Sequence, residues 1–320
     1  MPSLESWLTK QWYSGEKPNF ILRCLSFLYR FCLRFQKSQS TEKLGVPIIV
    51  VGNFTVGGSG KTPLIIALLE QLKSRGFKPG VVSRGYARQS KSAISVVPTT
   101  PVHEAGDEPL LIAKVANVPV RVDVNRLQAA QFLIAQGCTI IVSDDGLQHR
   151  NLPRNIEIEV VDDQRGYGNG MLLPAGPLRE PVRPVSMQVR NASAVDTAQS
   201  FAMHLQMQHC IQLNGFDSLP LTYFSGQSVF ALAAIGHPQR FFNALKAFNI
   251  TVSGIALADH QPITLADFPD QGIVFITEKD AVKCTNIKRK DVWVVPVLAQ
   301  LSNHFYDELF NKIGAAQGDV

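Results

Sequence analysis

The sequence offers little sulfur chemistry. Its five cysteines, Cys24, Cys32, Cys138, Cys210 and Cys284, are odd in number, widely spaced and form no C-x-x-C pair. A disulfide framework and a thiolate zinc site are therefore excluded as organising devices, and a reducing compartment is the natural setting. An early basic segment with an apolar run and a small-residue cleavage site is also missing, so no secretory signal is expected. There is no internal repeat and no low-complexity segment. No zinc pattern, RNA-recognition signature or clustered basic reading helix occurs, which argues against a nucleic-acid-binding module. What remains is ordinary for a globular protein: 320 residues, 45% hydrophobic and 18% charged, with room for two domains. The formal charge of +5 suits an anionic partner without choosing among nucleotide, membrane surface and nucleic acid.

The most unusual composition is in "FILRCLSFLYRFCLRFQK", residues 20–37. At about 100° per residue, Arg23, Arg30, Arg34 and Lys37 share a narrow stripe of one helical face. Leu22, Leu25, Phe27, Leu28, Phe31, Leu33 and Phe35 cover most of the rest. The run is too short and too interrupted by arginine for a spanning helix, which needs roughly 20 apolar residues. Two uses remain open: an interfacial helix with its rings in the acyl boundary and its cations on anionic headgroups, or a helix packed on the protein's own core. Trp7 and Trp12 just upstream favour the membrane surface. The polar "QKSQSTEK" links this segment to the first strand.

From Pro47 onward, short β-branched runs alternate with helical patterns, which predicts an α/β fold with a mainly parallel sheet. "VPIIVVGN" reads as a buried strand, "KTPLIIALLEQLKSRG" as a helix ending at Gly76, and "NRLQAAQFLIAQG" as another helix. A Gly-, Pro- and Arg-rich loop follows at about 164–184. The division expected is an N-terminal helical segment and linker (1–45), a nucleotide-binding domain with a connecting segment (46–224), and a smaller C-terminal α/β domain (225–320).

Between the first strand and its helix lies "VGNFTVGGSGKTP". It resembles the phosphate loop G-x-x-x-x-G-K-[ST], except that Thr55 stands where the first glycine belongs. Backbone amides across Thr55, Val56, Gly57, Gly58, Ser59 and Gly60 can surround phosphate oxygens at a helix N-terminus. Lys61 can reach the β- and γ-phosphates, and Thr62 can hold Mg²⁺. Gly57 and Gly58 supply backbone freedom near the turn. Asp144 and Asp145 in "TIIVSDDGLQH" end another apolar strand, where a carboxylate can hold Mg²⁺ or where an ordinary acidic turn can sit.

Other residues keep two readings each. Asp107 in "AGDEP" can cap the following helix or accept a hydroxyl proton. His260 in "ADHQP" is a surface-loop histidine or the group that orients such a base. Arg84 in "SRGY" and Arg179 in "GPLREP" are solvated arginines or anion contacts at the mouth of the sheet.

Taken in order, "VGNFTVGGSGKTP", "SRGY", "GDEP", "DDGLQHR", "GPLREP" and "DH", with the basic and apolar N-terminal segment, resemble the tetraacyldisaccharide 4'-kinase family of lipid A synthesis. The motifs cover most of the chain, and the family's loop also lacks that first glycine. The resemblance implies a P-loop NTPase-like fold with a smaller α/β domain. It implies an ATP- and Mg²⁺-dependent kinase that phosphorylates the 4'-hydroxyl of an acylated disaccharide 1-phosphate at the cytoplasmic face of the inner membrane. It further implies Asp107 as base with His260 as its partner, Asp144 and Asp145 with Thr62 at the metal, and residues 55–62 on the nucleotide. Arg84, Arg179 and Glu180 match family motifs as substrate or phosphate contacts. No obligate protein partner is implied.

The principal rival is a P-loop switch or partitioning ATPase. Members with a deviant loop carry Lys just before "GG", where this chain has Val56, and "TEKD" at 277–280 is a poor match to a GTPase N-K-x-D motif.

Overall fold

The protein is described here from a computed structural model covering residues 4–35, 40, 42–191, 196–215 and 217–318. The chain opens with two helices, α1 (Leu4–Tyr13) and α2 (Phe20–Leu33). Asn19 starts α2 by accepting a hydrogen bond from the Ile21 amide, satisfying one of the donors that a first turn leaves without an intrahelical partner. Then come β1 (Ile48–Gly52), α3 (Lys61–Ser74), β2 (Pro79–Ser83), β3 (Ile94–Val96), α4 (Val102–Ala105), α5 (Asp107–Ala116), β4 (Val120–Val122), α6 (Arg126–Ala135) and β5 (Ile140–Ser143). Strands β6 (Ile156–Asp162), β7 (Met187–Asn191), β8 (Ser200–Gln206), β9 (His209–Gln212) and β10 (Ser218–Pro220) follow. The chain ends with β11 (Ser228–Ala233), α7 (Pro238–Lys246), β12 (Thr251–Ala256), β13 (Val274–Thr277), α8 (Glu278–Ala281), β14 (Val292–Val295), β15 (Leu298–Leu301) and α9 (Asn303–Gly318).

Nine strands form one sheet in the order β15-β8-β7-β6-β1-β5-β2-β4-β3. The seven inner strands run parallel, and β15 and β3 close the edges antiparallel. A parallel sheet must bury both faces, and the strands show it. Ile49 and Val51 of β1 point to the core formed with α3, α5 and α9, while Ile48 and Val50 point to a second core beneath α6. The second sheet, β10-β9-β14-β13-β11-β12, has a parallel centre with β9 and β10 added antiparallel. Phe241, Phe242 and Leu245 of α7 cover one of its faces.

The two sheets divide the chain differently from the expected 46–224 and 225–320 domains. The second sheet starts with β9, before residue 225, and β15 and α9 return to the first sheet. The physical reason is edge protection. The free edge of β8 is covered by β15, which arrives from the far end of the chain, and α9 then covers the apolar face beside it. Leu309 of α9 is fully buried in the core of the nucleotide-loop sheet. Leu309→Ala is therefore expected to destabilise that unit by about 2–5 kcal/mol, read as a lowered urea midpoint with no change of fold by circular dichroism.

Helix α2 packs on the protein along one stripe and leaves its other face uncovered. One narrow stripe packs inward: Ser26 Oγ donates to the Leu172 carbonyl at 2.9 Å, Tyr29 Oη donates to the Arg179 carbonyl at 2.7 Å, and Leu33 touches the core under α6. The opposite face leaves Phe20, Ile21, Leu25, Phe27, Leu28 and Phe31 exposed, with Phe35 just beyond. Arg23, Arg30 and Arg34 flank that face, while Lys37 lies outside the described residues. Among the described residues, no helix is long and apolar enough to cross a membrane.

Candidate active site

The glycine loop joins β1 to α3, and its missing glycine has a structural explanation. At Thr55 the chain is extended and bridges Leu178 in antiparallel fashion, and the Val56 amide donates to the Pro177 carbonyl at 2.9 Å. Extended backbone needs no glycine. The left-handed turns fall later, at Gly57 (φ 105°) and Gly60 (φ 96°), where a side chain would be strained. The "GPLREP" loop thus completes the phosphate loop by pairing with it.

Lys61 heads α3, and its ammonium lies against two oxygens. It donates to Asn53 Oδ1 at 3.1 Å and stands 3.4 Å from Asp145 Oδ1. Asn53, buried beneath the loop, also donates from Nδ2 to the Gly57 carbonyl at 3.4 Å and so ties the lysine to the turn. From β7, Asn191 Nδ2 donates to the Ser59 carbonyl at 3.2 Å. The Ser59 hydroxyl is buried without a hydrogen-bond partner.

Strand β5 lies beside β1, so Asp144 and Asp145 emerge next to the loop. The two carboxylates have different surroundings. Asp145 sits at φ 49° and ion-pairs Arg179 at 2.7 Å as well as Lys61. Burial would raise its carboxyl, but the Lys61 and Arg179 charges outweigh it and hold it far below the usual range. Asp144 accepts from Ser83 Oγ at 2.9 Å through one oxygen, while its other oxygen is buried with no hydrogen-bond partner. Burial, then the Glu108 and Asp145 charges, push its carboxyl up to about 7. A buried carboxylate with an orphan oxygen suits a divalent cation that also takes phosphate and water oxygens. No cluster of three His, Cys, Asp or Glu able to cage a metal by itself occurs among the described residues.

Across the site, Asp107 opens α5, and His260 follows β12 in a left-handed conformation (φ 60°). His260 Nδ1 lies 2.9 Å from Asp107 Oδ2 and 3.0 Å from Oδ1. Its Nε2 is 3.7 Å from Asp259 Oδ1. Burial alone would raise the Asp107 carboxyl, but the His260 hydrogen bond and the Lys279 charge outweigh it and hold it below the usual carboxylate range. Gly236, in the loop after β11, lies between Asp259 and the glycine loop. A Cβ placed on Gly236 would stand 3.1 Å from Asp259 Oδ2 and 3.6 Å from the Gly58 nitrogen.

Arg84 is exposed in the loop after β2, and Gly85 in that loop packs backbone to backbone on Gly106 just before Asp107. Glu180 is buried, and its carboxylate accepts from Gln148 Nε2 at 3.0 Å and lies 3.6 Å from Arg150. These contacts brace the loop. Residues not singled out in the sequence also join the site. Asn53, Asn191 and Gln148 carry no charge to attract notice. The Tyr86 ring lies 5.0 Å from the His260 ring. Arg126, buried at the start of α6, donates to the Asp144 carbonyl at 3.1 Å. Only its place three residues after an aspartate in "DVNR" hinted at more than a helix start.

Comparison with known proteins gives a consistent result. The sequence model of the family described as Tetraacyldisaccharide-1-P 4'-kinase matches residues 18–314. The chain is 45% identical to the tetraacyldisaccharide 4'-kinase of Stenotrophomonas maltophilia, over 94% of this chain and 95% of that protein. It is 41% identical to the one from Hahella chejuensis, over 95% of each. Its structure is similar to a crystal structure of Aquifex aeolicus LpxK in complex with ATP, with a TM-score of 0.70 and 28% identity over 97% of this chain and 99% of that one.

Proposed function

The chain belongs to the tetraacyldisaccharide-1-P 4'-kinase family, and we propose from this how its residues divide the work of phosphoryl transfer. It is an ATP-dependent kinase that acts on the 4'-position of an acylated disaccharide 1-phosphate, a lipid A precursor. The observation that supports the division of roles is Gly236, after β11, which lies close both to the Asp259 carboxylate and to the Gly58 amide of the glycine loop. Asp259 adjoins His260 in sequence, which supports placing the Asp107-His260 pair on the terminal-phosphate side of the loop.

In this reading the amides of residues 57–60 and the Lys61 ammonium hold the β- and γ-phosphates of ATP, whereas the Val56 amide is taken by the Pro177 carbonyl and so does not join them. Thr62 and Asp144 would hold Mg²⁺, which would supply positive charge to offset the negative charge of the phosphates. Asp145 has a different task, since it aligns Lys61 and Arg179 with its two oxygens. Asp107 receives the proton of the 4'-hydroxyl, and His260 keeps its carboxylate turned towards that oxygen. A carboxylate held this acidic is a weak base. In a loose transition state the proton leaves late, so a placed acceptor matters more than a strong one.

The direct test is incubation with labelled ATP and tetraacyldisaccharide 1-phosphate, with and without Mg²⁺. Transfer that needs Mg²⁺ is expected. ATP binding without transfer would overturn the assignment.

The exposed face of α2 supports a seat on an anionic membrane surface, at the cytoplasmic face of the inner membrane, from which the acylated acceptor is drawn laterally. Six large apolar side chains in water on a single helix face, flanked by arginine, are what such a surface would bury. Replacing Phe27, Leu28 and Phe31 by serine is expected to weaken binding to anionic vesicles by at least about tenfold, with the melting temperature unchanged. Equal co-sedimentation of variant and wild type would reject the membrane role.

A further inference from the structure

The "TEKD" stretch, a poor base-reading motif by sequence, takes a defined place in the structure. Thr277 ends β13 and caps α8, accepting from the Asp280 amide at 3.2 Å. Asp280 is fully buried. It accepts from the Ala234 amide at 3.2 Å, and Lys283 lies 2.8 Å from it. The Ala234 carbonyl in turn accepts from the His260 amide at 3.2 Å and from Lys283 Nζ at 3.1 Å. The same short helix therefore anchors the backbone that presents His260. It also sends Lys279 in the opposite direction, across to α5 of the first sheet. There the ammonium lies 2.9 Å from Glu108 Oε1 and 3.8 Å from Asp107 Oδ2.

We propose that Lys279 is a positioning residue for phosphoryl transfer: from the second sheet it neutralises Glu108 and holds Asp107 ionised and turned towards the acceptor hydroxyl. Two adjacent carboxylates at one helix start repel each other, and one cation between them removes that repulsion at both. The arrangement also reaches the metal side, because the Glu108 charge is felt at Asp144. Both groups that hold the base, His260 and Lys279, come from the second sheet, whereas the phosphate loop belongs to the first. The base is thus set only when the two sheets' units are docked. Burial would lower the Lys279 pKa, but Glu108, Asp107 and Asp259 more than compensate and keep it protonated.

This inference rests on Asp107 being the proton acceptor, and the experiment separates the two. The groups facing Lys279 are Asp107 and Glu108 on α5 and Asp259 beside His260, while Lys283 and His260 also face Asp107. Lys279→Met in the full chain is expected to lower kcat by about ten- to a hundredfold, with KM for ATP within about threefold of wild type. The acid limb of its kcat/KM profile should move to higher pH. Adding Glu108→Gln should recover at least about threefold of the loss, because the repulsion at Asp107 is then relieved by other means. Lys279→Met with wild-type kcat and acid limb would overturn the inference. So would a loss matched by a lowered melting temperature, with no movement of the pH profile and no recovery by Glu108→Gln. Asp107→Asn is measured in parallel: full activity there would sink the underlying assignment of the base instead.

Discussion

Asp107→Asn is expected to lower kcat by about a thousandfold while leaving ATP affinity within a few-fold of wild type. The amide nearly preserves the volume of the carboxylate, and its oxygen can still accept from His260 Nδ1, now 2.9–3.0 Å from the Asp107 oxygens. What it cannot do is accept the acceptor's proton. Positioned bases contribute roughly a hundred- to ten-thousandfold. His260 is committed to Asp107 through Nδ1 and faces Asp259 through Nε2. ATP affinity should survive because the phosphate loop, Lys61 and Asp145 make no hydrogen bond to Asp107. Single-turnover measurement with prebound ATP checks it. Near-normal turnover would show that the proton leaves by another route.

Asp144→Asn is expected to do two opposite things. It should cut Mg²⁺-dependent turnover by about a hundredfold or more, and it should stabilise the metal-free protein at alkaline pH. The second effect follows from the raised carboxyl. Between its ordinary value of 3.8 and about 7, the folded chain keeps a proton that the unfolded chain has released. Stability contributed by that proton is complete at the low end of the window and is lost as pH rises through about 7. At pH 8 the metal-free wild type therefore carries a buried, underpaired anion, a cost on the order of a few kcal/mol. Asparagine carries none, so its melting temperature in EDTA should exceed wild type at pH 8 and converge with it towards pH 4. Magnesium should reverse the order, since a cation at the orphan oxygen stabilises only the carboxylate and displaces its proton. Identical pH profiles of stability for the two proteins would remove the case for Asp144 as the metal carboxylate.

The legible parts of this protein were those that act over a few residues. The strands around "VPIIVVGN" and "CTIIVSDDG" announce themselves as continuous apolar runs because both faces are buried. Helix α3 was legible from its glycines and its apolar spacing. Residues 187–220 were not, since β7 to β10 are short and their partners lie elsewhere: β8 pairs with β15, and β9 with β14. The expected boundary at 224 failed for that reason, as strands are assigned to sheets by their partners. Lys279 escaped notice because its role depends on a helix start far away in the chain.

Left to itself, the sequence decided the bend of the phosphate loop, the helix behind it and the greasy, arginine-edged face of α2. Those depend on backbone freedom at single residues and on spacing along one helix, which are local quantities. Tertiary structure alone decided why Thr55 can replace a glycine, which of two adjacent aspartates pairs with Lys61 and Arg179, and that Asp107 meets His260. Each of those is set by charge and burial from neighbours brought together across the chain, and such energies have no value until the neighbours are in place.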